Sequence, residues 1–380
     1  MIKIELGGLK LKVIFFILTF FAVLGALDRC FGNKLGYGKR FQEGICVAGP
    51  LILAMLGILS ISPLISKFSK PFVEKLYFLT GIDPSIYINS ILATDMGGYF
   101  LAKDLAINKE LIDFSGIILG SMLGTVVIFT MPVAFGIIDD LSKENFSKGI
   151  LSGVATIPLG CFVAGVIMGL DIILIVHNLI PVVIFSGIIC TGLWFFPEKT
   201  CKLFDKFGKG MTVVITLGLV LTIIETMFGY SIIKGLNPID ESMKIVTRVA
   251  LTLSGAYPLL YFIEKYFKET LKKMGSLLGI DESGTAGFMA SLVSSIPMFG
   301  IFNKMDNNSK IINSAFAVAG SYVFGGQLGF VAGVSPDNIL PFIVAKLVAG
   351  FSAIYLAKTM FINKKEKNKS FVLNKNFKIN

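Results

Sequence analysis

A single histidine, His177, stands in 380 residues. That scarcity leaves little for a His-based metal centre or a Ser–His–Asp triad to use. The five cysteines (Cys30, Cys46, Cys161, Cys190 and Cys201) show no C-x-x-C spacing and no histidine cluster beside them. They read as packed apolar thiols, not as disulfides or metal ligands. The H-E-x-x-H, G-x-S-x-G and Walker patterns are absent. The sequence therefore points away from an enzyme and calls for no cofactor and no metal. Charge is also thin: 16% of residues are Asp, Glu, Lys or Arg, against about 25% in soluble domains. The net charge of +10 does not indicate nucleic acid, because the basic residues fall in loops and in the tail without aromatic interleaving.

What is abundant is apolar: 54% of the chain, with 34 Phe and 40 Gly. Eleven apolar segments follow one another at 11–27, 44–66, 85–102, 114–138, 149–170, 172–195, 211–229, 244–266, 283–302, 310–334 and 339–362. A bilayer crossing needs about 20 such residues in a helix. A β-barrel would show ten-residue alternating segments instead. The fold class is all-α, a polytopic integral membrane protein with about nine full transmembrane helices and two broken or re-entrant segments, 85–102 and 283–302. Connections are short, so residues 1–362 form a single transmembrane domain, followed by a basic tail at 363–380. Leu11–Leu27 starts among Lys10 and Lys12 and lacks a small-x-small cleavage site, so it reads as a retained first helix.

The stretch Ser90–Lys103, SILATDMGGYFLAK, is the centre of the reading. Asp95 sits in its middle, and a carboxylate at the centre of a membrane helix costs about 3 kcal/mol. Gly97 and Gly98 follow, and each weakens a helix by about 1 kcal/mol. A segment that tolerates all three reads as a broken element lining a polar cavity, where irregular backbone is allowed at membrane depth. The competing reading is an ordinary helix with Asp95 paired or snorkelling.

A second copy of the pattern lies downstream. Gly81-Ile82-Asp83 recurs as Gly279-Ile280-Asp281, and each copy precedes a broken apolar segment. Lys103 lies 13 positions after Ser90 and Lys304 13 after Ser291, and Gly124 and Gly325 follow at matched positions. Repeat halves at about 44–138 and 244–334, inverted in the membrane, are expected, with a binding site between paired interrupted segments. Lysine and arginine give the sidedness. With both broken segments re-entrant, one side with the tail collects 23 basic residues against 11, and Lys346 is left within the membrane. With both spanning, the split is 16 against 18, which breaks the positive-inside rule. With the second alone re-entrant it is 25 against 9, so the count turns 283–302 back and leaves 85–102 open.

Other polar groups inside apolar segments are candidates. Pro297 interrupts the second broken segment beside Ser294 and Ser295, and freed carbonyls and hydroxyls there suit a small polar solute; a packed kink is the alternative. Asn178, near Pro181, breaks helix 172–195 beside His177, which reads as a hydrogen-bonded helix residue before a proton relay. Glu225 reads as interfacial. Lys346 lies mid-span in the last helix and wants a carboxylate partner such as Asp95, or snorkels. Gln327 offers an uncharged donor and acceptor.

The runs ATDMGGYFLAKDLA (93–106), SGIILGSMLGTVVIFTMPVAFGI (115–137), ATIPLGC (155–161), NLIPV (178–182), FPEK (196–199), GAYP (255–258), IPMFG (296–300) and KIINSAFAV (310–318) resemble the bacterial ethanolamine permease family of the ethanolamine utilisation system. The resemblance extends from the first helix to Lys346. It implies a multi-pass inner-membrane protein that imports ethanolamine, with the lipid bilayer and that small amine as its partners and the tail on the cytoplasmic side. Two departures stand out: Ser294-Ser295 where the family often has two Asn residues, and Gly326-Gln327 where it often has Asp-His. For a small ammonium with one hydroxyl, Asp95 supplies the charge beside Gly97 and Gly98. Tyr99, Phe100 and Tyr257 are aromatic faces, each worth about 2 kcal/mol to a desolvated cation. Ser294, Ser295 and carbonyls near Pro297 meet the hydroxyl. A passive facilitator and a non-transporting sensor or scaffold are the alternatives, and the oligomeric state is left open.

Overall fold

The structure, a computed structural model, describes residues 2–363. Every regular element among the described residues is helical. Among the described residues, eight helices are long and apolar enough to cross a bilayer: Val13–Cys30, Tyr37–Thr80, Leu111–Ile137, Asp140–Met168, Ile172–Phe195, Pro197–Phe228, Ser242–Tyr266 and Pro336–Ile362. The other three apolar segments are interrupted. Two were expected to be; the third, 310–334, reads as one helix but breaks between Asn307–Ala319 and Gly326–Val334. Tyr322 in that break has φ 62°. The basic tail lies, from residue 364 on, outside the described residues.

The molecule is arranged around the helix Leu111–Ile137, whose apolar window is 83% buried, against 17% for Pro197–Phe228. Its first half, Phe114–Gly124, is a π-helix in which every residue is buried. Small residues (Ser115, Gly116, Gly120, Ser121, Gly124) let neighbouring backbones approach it. The peripheral helices carry exposed Trp194, Phe195, Val213, Leu217 and Tyr355. Large apolar side chains facing outward suit hydrocarbon and not water.

Each expected broken segment is a hairpin that returns to the end at which it entered. The first begins at Asp83, which caps the helix Pro84–Asn89 by accepting from the Ser85 amide at 2.9 Å. The other oxygen of the same carboxylate accepts from the Ile107 and Asn108 amides, both at 2.9 Å, where the segment ends. The second begins at Asp281, which accepts from the Gly284 amide at 2.6 Å and, at its far end, from the Asp306 amide at 2.8 Å. The Asp83 amide donates to Asn178 Oδ1 at 2.9 Å, and the Asp281 amide to Ser309 Oγ at 2.8 Å. One carboxylate thus cinches both ends of each hairpin.

The hairpins enter from opposite ends of the molecule. The helix Lys143–Met168, 26 residues long, spans about 39 Å at 1.5 Å per residue. At its start Asn145 Nδ2 donates to Asn307 Oδ1 at 2.8 Å, beside the mouth of the second hairpin. At its other end the chain turns at Asp171 into Ile172–Phe195, which carries Asn178 to the mouth of the first.

Candidate substrate site

The first hairpin turns back around 90–98. Pro84–Asn89 stops, Ala93 is extended, and Thr94–Gly98 forms one wide turn with Met96 and Gly97 out of helical geometry. Gly97 has φ +94°, and a Cβ there would meet Ile58 Cγ1 at 2.6 Å. No other residue fits both the handedness and the space. Asp95 opens this turn. It is half-buried. Its carboxylate interacts with its own backbone N–H and feels the positive charge of Lys346. The described ion pairs include neither residue.

The second hairpin turns back at Ser294, which is extended (φ −156°, ψ 135°), and restarts as Ser295–Gly300. Pro297 therefore lies in the first turn of a new helix, where a missing amide leaves no orphan. It is exposed, as is Ile296. The carbonyls released before the break are largely taken by the third interruption: the Tyr322 amide donates to Ser291 O at 3.0 Å and the Phe324 amide to Leu292 O at 2.9 Å.

Tyr322 fastens the tip of the second hairpin and lies near that of the first. Its hydroxyl shares a 2.6 Å hydrogen bond with Ser295 Oγ and lies within hydrogen-bonding reach of the Ser294 side chain. It also lies within the electrostatic reach of Asp95. Its ring meets Phe129 edge-on at 6.0 Å. Lys346, 1% exposed, projects from Ile339–Ala357 toward the same place. Its ammonium donates to the carbonyls of Ser121 and Ser321, each at 2.8 Å, and more distantly to Ala319 at 3.5 Å. Gln327 Nε2 donates to Thr125 Oγ1 at 2.7 Å, while its buried Oε1 has no protein partner. Asn89 Oδ1 and Thr94 Oγ1, near Gly120 at the tip of the first hairpin, are also buried without one.

So Asp95, Ser294, Ser295 and Lys346 converge, with Gly97 and Gly98 shaping the turn and Gln327 beside the same core helix. Three expected residues do other work. Tyr99 points its hydroxyl at Asp113, which also accepts from Ser335 at 3.1 Å and Asn338 at 2.8 Å. Asn178 anchors Asp83 at the hairpin mouth. Tyr257 lies near Glu43 and Arg40 on another face. His177 is exposed at the membrane end, beside Gly81. Sequence reasoning missed Tyr322. The signal was Gly320 and the Gly325-Gly326 pair bracketing a polar aromatic in an apolar run. A cavity of about 1010 Å³ opens elsewhere, among Lys143, Lys148, Trp194, Lys202 and Phe361. It shares no residue with the Asp95 cluster and has the mixed charge and aromatic character of a head-group region.

No group of three or more His, Cys, Asp or Glu side chains suited to a metal ion occurs among the described residues. The cluster is instead a carboxylate, hydroxyls and a buried ammonium held by carbonyls, around interrupted backbone. Comparison with known proteins bears on what it serves. The profile of the family described as "Ethanolamine utilisation protein, EutH" matches residues 11–360. The chain belongs to that family. It is 44% identical over 365 residues to the "Probable ethanolamine permease EutH" of Listeria monocytogenes serotype 1/2a (strain 10403S), covering 95% of this chain and 98% of that protein. It is 41% identical to the "Uncharacterized protein YxeR" of Bacillus subtilis (strain 168), over 91% and 93% of the two chains. With the "Probable ethanolamine permease EutH" of Escherichia coli (strain K12) it shares 35% identity, over 91% of this chain and 94% of that one. No solved structure matches the chain significantly.

Proposed function

We propose that this protein carries ethanolamine inward across the cell membrane, at a site between the tips of its two hairpins. The observation that carries the reading is Asp95: a half-buried carboxylate at an interrupted turn, outside every described ion pair, with a buried ammonium nearby. A carboxylate left with open lone pairs at such a place calls for a cation. Ethanolamine's ammonium pairs with Asp95. Its hydroxyl exchanges hydrogen bonds with Ser294, Ser295 and Tyr322. The two halves form an inverted repeat, supported by hairpins cinched by Asp83 and Asp281 at opposite ends of the molecule. Alternating access then follows from rocking one hairpin unit against the other.

The test is uptake of labelled ethanolamine by cells or proteoliposomes at low concentration and slightly acid pH, where little neutral amine diffuses. Asp95→Asn should lower uptake at limiting substrate about 30-fold, the equivalent of ~2 kcal/mol for a truncated buried charge partner. Uptake equal to the parent would remove Asp95 as the ammonium site. Counterflow separates a carrier, which shows trans-stimulation, from a passive facilitator, which does not.

A further inference from the structure

The surroundings of Lys346 resemble an ion site more than the surroundings of a structural lysine. An ammonium has three N–H donors and no acceptor. Here three carbonyl oxygens meet it, from Ser121, Ser321 and Ala319, at 2.8, 2.8 and 3.5 Å. They come from two elements: the π-helix Phe114–Gly124, and the chain where Asn307–Ala319 ends and opens into the third interruption. The Phe342 ring lies 5.4 Å from the nitrogen, an added cation-attracting face. Asp95 supplies the opposite charge without an ion pair. Secondary transporters hold coupling ions with carbonyls at broken helix ends near the substrate; here Ala319 and Ser321 lie at such an end, Ser121 lies in a π-helix, and Asp95 is near.

We infer that the Lys346 ammonium is a tethered cation standing where a coupling ion would sit, so that transport by this protein needs no sodium. The ammonium offsets part of the charge of the half-buried Asp95 carboxylate without pairing with it. Because its donors are committed to carbonyls, it does not close off Asp95 as a direct ion pair would. The inference builds on the transport reading and specifies its energetics: the driving force comes from the substrate gradient and the membrane potential, with no co-transported alkali ion.

The experiment has two arms. In proteoliposomes of the parent protein, replacing sodium by potassium at constant ionic strength should change ethanolamine uptake less than about twofold, whereas a coupled ligand acts by roughly 5–150-fold. Uptake that collapses without sodium overturns the inference while leaving the transport reading intact. The second arm needs no substrate. Lys346→Ala leaves the carbonyls and the aromatic face without their cation; Lys346→Met fills the same volume without charge. Thermal unfolding of each detergent-purified protein is followed against sodium chloride and ammonium chloride. A saturable rise in midpoint with either salt for Lys346→Ala, absent in the parent and in Lys346→Met, supports an ion site. If Lys346→Ala responds no more than Lys346→Met, the inference is overturned. If Lys346→Ala does not fold, the first arm decides alone. A chain that fails to carry ethanolamine but passes the second arm sinks the transport reading, not the ion site.

Discussion

At the scale of the residue, the interrupted turns rest on atoms that cannot be added. A Cβ on Gly124 would overlap the Leu92 carbonyl oxygen, and one on Gly325 would overlap that of Val293. Both are backbone atoms of a hairpin tip, which cannot move aside like a flexible side chain. Gly124→Ala and Gly325→Ala are each expected to destabilise the protein by about 1–3 kcal/mol, the usual penalty for overpacking, read as a lower unfolding midpoint in detergent. Uptake should fall with them, because the displaced tip carries Asp95 or Ser294. Tyr322 makes a different prediction. Tyr322→Phe keeps the ring against Phe129 and removes the hydroxyl shared with Ser295. Loss of one such hydrogen bond is worth about 1 kcal/mol. The unfolding midpoint should fall by the few degrees that such a loss brings, and the KM for ethanolamine should rise about fivefold if the same hydroxyl also meets the substrate. An unaltered KM would place Tyr322 outside the site.

At the scale of the element, each hairpin depends on one aspartate. A capping side chain is typically worth about 1 kcal/mol, but Asp83 also holds the far end of its segment and is 3% exposed. Asp83→Ala should therefore cost more than Asp281→Ala, which lies nearer solvent. Asp281 adds a pH dependence. Burial alone would raise its pKa, but the Gly284 and Asp306 amides, the Ser309 side chain and the Lys310 charge together hold it below the ordinary value. A carboxylate lowered by folding contributes stability above its unfolded pKa, about 3.9, and loses it as pH falls through the lower folded value. The parent should lose unfolding midpoint below about pH 4 more steeply than Asp281→Asn, which has no proton to take up; parallel pH curves would count against the clamp.

At the scale of the whole molecule, the contacts and the charge count agree. Asn145 with Asn307, and Lys358 Nζ donating to Leu277 O at 3.2 Å, bring 139–148, 265–282, 303–310 and the end of the last helix to one face. That face is the one the 23-to-11 division of basic residues assigns to the tail side. Single cysteines introduced at Lys206 and Asn308 in a chain whose own cysteines are replaced should react with an impermeant thiol reagent only from the cytoplasmic side, and one at Lys109 only from outside. Labelling of Lys109 and Asn308 positions from the same side would refute the opposed entry of the hairpins.

Membrane class and helix content were written in the chain, because hydrocarbon admits few backbone arrangements, and the cost of a carboxylate there singled out Asp95 as a candidate. The paired Gly-Ile-Asp motifs marked both hairpins for the same local reason: an aspartate before a helix start caps it wherever it occurs. The assembly was not legible. That 85–102 turns back depends on Asp83 reaching Ile107 and Asn108, a contact across the hairpin that no local pattern encodes. Whether a polar side chain serves a site or a scaffold depends on what packs opposite it. Tyr99 and Asn178 found partners in Asp113 and Asp83, while Tyr322, hidden in an apolar run, was delivered to Ser295. Composition and spacing fix which groups must escape lipid; only three-dimensional packing chooses the neighbour that receives each one.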